Sequence, residues 1–156
     1  MLTRRRGASD VGTASARGAS RSVMLATLGV PYEPDAAGMA VDAAVEAGQP
    51  LVLVNVVEIM PLPGAVILKY GDVDDSPEDA AALLAPAELA HSLGVQVERL
   101  RVRSPHPVDA LLEVVAERRP GLLVFGPDRS RLRKRVYRKA VKAVRERAAC
   151  LVWLAQ

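Results

Sequence analysis

The stretch "LLVFGPDRSRLRKRVYRKAVKAVRERAACLVWL" (Leu122–Leu154) decides the fold class of this chain. It opens on a continuous apolar run, Leu122–Gly126, of the kind expected of a strand covered on both faces. A short turn leads into a helix whose Val136, Tyr137, Ala140, Val141 and Val144 fall on one stripe, with basic residues on the rest of the circumference. A second apolar run, "CLVWLA" from Cys150, closes the unit. Two buried-type strands joined through a helix make a crossover, which is right-handed and sets the strands parallel.

The same alternation runs upstream. "VMLATL" (Val23–Leu28) reads as a strand. A loop with Gly29 and Pro31 follows, then a helix with Ala37, Val41, Ala44 and Val45 on one stripe, closed by Gly48. "LVLVNVVEI" (Leu51–Ile59) is apolar and β-branched throughout, as a doubly covered strand requires. After a Pro/Gly/Asp-rich connection, Ser76, Pro77 and Asp79 supply a hydroxyl cap, a proline at the first helical position and an acid three residues after the cap. That helix is expected to reach about Leu93, with a kink or break near Pro86, whose ring removes a backbone donor. "VQVERLRVR" (Val95–Arg103) interrupts its apolar residues with Glu98, Arg99, Arg101 and Arg103, so one side must meet water and the strand belongs at an edge. Pro107 opens a further helix that ends at Arg118 and Arg119, before Pro120 and Gly121. Strands and helices in this alternation specify an α/β, Rossmann-like three-layer sandwich with a five-stranded parallel sheet and four helices.

Composition agrees with a single folded domain. The chain has 156 residues, 50% apolar and 25% charged, with no apolar run near the roughly 20 residues that span a bilayer. Its net charge of +3 conceals an uneven distribution. Met1–Ser22 has five arginines and one aspartate, Val23–Pro127 has six basic and fifteen acidic residues, and Asp128–Arg147 has ten basic and two acidic residues. Residues 1–22, rich in small and polar side chains, are expected to be a disordered basic tail, and 23–156 the folded domain. The tail carries no apolar segment of secretory type, so a cytoplasmic location is expected, without membrane insertion. Cys150 is the single cysteine, which excludes an intrachain disulfide and a multi-cysteine metal site.

The order and spacing of these segments resemble the universal stress protein family over roughly Ser22–Ala155. "SVMLATLGV" stands where the family has a strand ending in Asp-Gly-Ser, and "LVLVNVVE" where it has a Leu-His-Val-Val strand. "RPGLLVFGP" stands for its Asp-Leu-Ile-Val-x-Gly strand, and "VRERAACLVWL" resembles its His-Ala-Pro-Cys-Pro-Val-Leu ending. The resemblance implies strand order 3-2-1-4-5. It also implies a homodimer through the last strand, with Cys150, Leu151, Val152, Trp153, Leu154 and Ala155 at the interface.

The resemblance further implies a ligand site over Thr27, Leu28, Gly29, Val56, Phe125, Gly126, Arg129, Arg138 and Lys139. ATP-binding members carry Gly-x-x-Gly, nine residues, then Gly-Ser/Thr after the fourth strand. There, residues without Cβ let backbone amides close around phosphates at a helix start. Here only Gly126 matches. The second glycine falls on Arg129, or on Asp128 in a loop one residue shorter, and the Gly-Ser pair falls on Arg138-Lys139 or Lys139-Ala140. The family aspartate near base and ribose corresponds to Leu28. ATP is therefore disfavoured and no cofactor is expected.

Two functions from different classes follow. One is a regulatory or interaction module of the stress response, of the non-ATP-binding type, with a protein partner that the sequence does not specify. The alternative is a nucleotide-binding protein with a rearranged, arginine-rich phosphate site. Arg129, Arg131, Arg133, Lys134, Arg135, Arg138, Lys139 and Lys142 could grip an anion. The favoured expectation is that most of them form a solvated face, or pair with the acidic body. A nucleic-acid partner is disfavoured, since Tyr137 alone could stack and its stripe position points inward. Catalysis is not expected: His91 and His106 lie in different elements, His106 reads as a helix cap or surface residue, and no serine has an evident base. "GDVDDSPED" (Gly71–Asp79) lacks the spacing of a calcium loop, and no metal site is expected.

Overall fold

A computed structural model of the chain describes residues 21–60 and 75–155. The expected tail, apart from its last two residues, lies outside the described residues, as do residues 61–74, which include most of the connection after the second strand and the first four residues of "GDVDDSPED".

The elements are β1 (Val23–Thr27), α1 (Pro34–Ala47), β2 (Leu51–Glu58), α2 (Pro77–Ser92), β3 (Val97–Ser104), α3 (Pro107–Arg118), β4 (Leu122–Phe125), α4 (Lys134–Arg147) and β5 (Leu151–Leu154). The sheet is parallel in the order β3-β2-β1-β4-β5, and Leu25 at its centre is flanked by Leu53 and Val124. Alternate side chains of the inner strands feed two cores. Leu25, Leu51, Leu53 and Val124 meet Ala36, Ala40, Val41 and Ala44 of α1 and Leu83, Ala87 and Ala90 of α2. Met24, Val54, Leu123 and Phe125 meet Leu111, Leu112 and Val115 of α3 and Ala140 and Val144 of α4.

Local signals explain some helix ends. Gly48 takes the left-handed conformation that closes α1, and the Ser76 hydroxyl accepts the Asp79 amide at 3.2 Å to start α2. Some expectations fail. α2 is not broken at Pro86: the proline lies inside a continuous 16-residue helix, and its ring is buried with Leu83, Ala87 and Ala90. Burial of the ring offsets the amide bond that the proline removes. The apolar stripe of α1 is rotated, with Ala36 and Ala40 buried and Val45 43% exposed, because small residues bring the helix close to the sheet. His106 precedes α3 without a side-chain cap bond and stands exposed, which leaves the surface half of its expectation. β3 starts at Val97 rather than Val95, since the Val95 amide still bonds the Ala90 carbonyl at 3.0 Å in the turn after α2. Cys150 precedes β5 instead of opening it.

The two sheet edges differ as the sequence implies. β3 exposes Glu98, Arg99, Arg101 and Arg103, while β5 is short and apolar, with Leu151 75% exposed.

Candidate functional site

Open parallel sheets place ligands beyond the carboxyl ends of the strands, where the strand order reverses. Here that point lies between β1 and β4, and the two loops leaving these strands are stitched together. The Glu33 amide donates to the Gly126 carbonyl at 2.9 Å, and the Asp128 amide to the Pro31 carbonyl at 2.9 Å, around an antiparallel bridge between Tyr32 and Pro127. Gly126 itself donates to the Ala26 carbonyl at 3.0 Å.

The glycine at 126 has a packing reason. A methyl group added there would run into the Ala36 methyl of α1. Small residues on both sides thus let α1 lie close against the end of β4.

Beyond Gly126 the loop turns on Asp128. Its Oδ1 accepts both the Ser130 amide, at 3.0 Å, and the Ser130 hydroxyl, at 2.7 Å, and its carbonyl accepts the Arg131 amide at 3.1 Å. A carboxylate of the chain therefore takes donors that a phosphate would need, and the amides of residues 126, 128, 130 and 131 all have partners within the chain. The arginines of this loop are engaged as well. The Arg129 guanidinium lies 4.8 Å from the centre of the Tyr137 ring, and Tyr137 stacks on Phe125 with centroids 6.1 Å apart. Arg131 grips Asp79 at the start of α2 through two bonds, Nη1 to Oδ1 and Nη2 to Oδ2, the latter at 2.9 Å. That pair ties the loop after β4 to the start of α2, and the guanidinium holds the Asp79 carboxyl below the usual carboxylate range.

The residues expected to hold a ligand separate into two groups. Thr27, Leu28, Val56 and Phe125 are buried in the core. Leu28, in the position of the family carboxylate, packs with the α3 and α4 side of the sheet, and the Thr27 hydroxyl donates to the Val30 carbonyl at 2.7 Å. Gly29 is exposed at φ 72°, and its amide donates to Asn55 Oδ1 at 2.9 Å. Sequence reading overlooked Asn55, although a single amide inside the apolar run "LVLVNVVE" was the available signal. Arg129 and Arg138 line a cleft of about 570 Å³ with Glu33, Ser130, Lys134, Tyr137 and Ala155. Lys139 instead lies on the α3 side, where its charge acts on Asp109. Asp109 also accepts a 2.7 Å bond from Arg147, which pulls its carboxyl down.

A second hollow, of about 250 Å³, lies between Tyr32, Asn55, Leu83 and Arg99. Burial pushes the Tyr32 hydroxyl well above the ordinary phenol range. At the opposite end of the sheet, burial also raises the Cys150 thiol. Among the described residues no three His, Cys, Asp or Glu side chains gather where they could hold a metal ion, and no helix is long and apolar enough to cross a membrane.

The architecture has a counterpart among known proteins. The family model described as "Universal stress protein family" matches residues 19–156. This chain belongs to the universal stress protein family. No curated protein matches it. A family protein from Burkholderia pseudomallei is similar at 20% identity, with a TM-score of 0.62, over 88% of this chain and 98% of that one. A universal stress protein solved in complex with cAMP is 20% identical, with a TM-score of 0.54, over 87% and 96%. One from Archaeoglobus fulgidus, solved with dAMP, is 17% identical, with a TM-score of 0.57, over 87% and 98%. At these identities the likeness is one of fold. The expected α/β sandwich and its strand order 3-2-1-4-5 stand.

Proposed function

We propose that this universal stress protein is a regulatory or interaction module of the stress response that does not hold ATP through the loop after β4. One observation carries the reading: the loop's donors are already occupied, with the Asp128 carboxylate taking the Ser130 amide and hydroxyl. Arg129 stands where the family's second glycine would admit the phosphates, and Leu28 where its carboxylate would meet the ribose. The protein acts by binding rather than by catalysis, in the cytoplasm. It works as a homodimer through β5, whose exposed Leu151 offers apolar surface to a second copy.

Equilibrium dialysis against labelled ATP with magnesium tests the first part. Retention no better than a dissociation constant of about 1 mM is expected, and micromolar binding overturns the reading. The second reading, a rearranged nucleotide site, draws on the cleft with Arg129, Lys134 and Arg138 and on the relatives solved with cAMP and dAMP. Micromolar binding lost in Arg129→Gln and Arg138→Gln variants would favour it. Sedimentation velocity tests the dimer: a monomer at micromolar concentration contradicts it.

A further inference from the structure

Four cations that have no partner among the described residues form one row on α4. At about 100° per residue, Lys134, Arg138, Lys142 and Arg145 fall within an arc of about 80° on α4. All four are exposed, and among the described residues none has an ion-pair or hydrogen-bond partner. Lys139 and Arg147 point the other way, toward Asp109 of α3. Lys134 and Arg138 line the cleft beside Ala155, the residue directly after β5. The row therefore follows the outer flank of α4, over the open edge of the sheet.

Pairing of β5 with a second copy then has an electrostatic consequence. An antiparallel pair of edge strands is related by a two-fold axis normal to the sheet, so each helix layer continues into the same layer of the other copy. α4 comes beside α4, and four unpaired cations from each copy border one groove. Strands lie about 4.8 Å apart, so the rows approach within roughly one to two Debye lengths at physiological salt, where each length is about 8 Å.

We propose that this two-fold groove binds a condensed inorganic phosphate, such as tripolyphosphate or a longer linear polyphosphate, and that the anion couples to dimerisation. The inference rests on the β5 homodimer proposed above. Each row is about 16 Å long, the span of eleven residues of helix, which suits a short chain of phosphates. Arginine and lysine at such spacing bind phosphate oxygens with charge-assisted bonds. No aromatic ring lies in the arc: Tyr137 turns inward onto Phe125, with Arg129 over its ring, so bases have nothing to stack on. The site is complete only when both copies are present. Binding that favours the dimer must therefore strengthen it, and the unneutralised rows weaken it when no anion is bound.

Sedimentation velocity on the full chain tests this in 50 mM NaCl, in 500 mM NaCl, and in 50 mM NaCl with sodium tripolyphosphate. The dimer dissociation constant is expected to fall roughly tenfold with tripolyphosphate, and to fall also with the higher salt. The variant Arg138→Gln/Lys142→Gln/Arg145→Gln alters exposed positions only. It is expected to dimerise at 50 mM NaCl without the anion and to lose the tripolyphosphate response. A wild-type constant unchanged across all three conditions overturns the coupling and leaves the homodimer standing. A monomer in every condition, matching Leu151→Asp, overturns both. A single-stranded oligonucleotide that acts as strongly at equal phosphate concentration overturns the assignment to inorganic phosphate.

Discussion

The basic segment divides at Arg133. In the loop, residues 128–132, charge and donors are consumed within the chain: Asp128 by Ser130, Arg129 by Tyr137, Arg131 by Asp79. On α4, Lys134, Arg138, Lys142 and Arg145 have no such partners among the described residues. The two halves have similar composition and opposite availability. A run of arginines therefore does not mark an anion site until each guanidinium has been followed to its partner. The half that stands in place of a phosphate loop is closed, and the half that resembles a solvated face is open.

Four tests would sharpen or break this contrast, from the largest effect to the smallest. Gly126→Ala forces a methyl group against Ala36 at the root of the closed half, and should cost about 1–3 kcal/mol in urea unfolding. Lys142→Ala on the open half should stay within about 0.5 kcal/mol of wild type. Equal costs would remove the distinction.

Reopening the loop requires several substitutions together. Leu28→Asp, Asp128→Gly, Arg129→Gly, Lys139→Gly and Ala140→Ser combined should raise ATP affinity at least roughly tenfold over wild type, measured by calorimetry. Asp128→Gly alone, which frees the Ser130 donors but leaves the bulky side chains, should not. If the single change suffices, the arginines are not the obstacle.

Asp79→Asn breaks the grip of Arg131 between the loop after β4 and the start of α2. The pair is exposed, so the loss of stability is small. It has a definite pH dependence: the folded-state carboxyl titrates below its usual range, so its contribution is present at neutral pH and is lost as pH falls through the lowered value. The gap in urea midpoint between wild type and variant should close in acid. A gap independent of pH would show that the pair contributes nothing.

The smallest effect concerns Cys150, half-buried against the core under α3 and α4, whose thiol burial pushes up. Its alkylation by iodoacetamide at pH 7 should lag behind that of a free thiol in solution. Reaction at the free-thiol rate would show the thiol to be open to solvent.

Much of the fold could be read before the structure because it rests on local signals. Apolar runs such as "LVLVNVVE", the Ser76 cap and Gly48 act over a few residues, and the charges on β3 marked it as an edge. The errors arose where distant packing decides. Pro86 stays inside α2 because its ring has a core to join, and the stripe of α1 turns because Ala36 sits on Gly126. In the site, the missing glycines were legible. The grip of Arg131 on a residue 52 positions away and the pinning of Gly29 by Asn55 were not, since each depends on elements that only the sheet brings together. The Asp128 turn onto Ser130 is local, two residues long, and was overlooked among the surrounding arginines.

The division of the basic segment is tested most directly by an amide NMR titration of the full chain with tripolyphosphate, the same triphosphate that ATP carries. The account predicts shifts along Lys134–Arg145, with the amides of Gly126, Asp128 and Ser130 unmoved. Shifts concentrated at those three amides, with α4 silent, would contradict it.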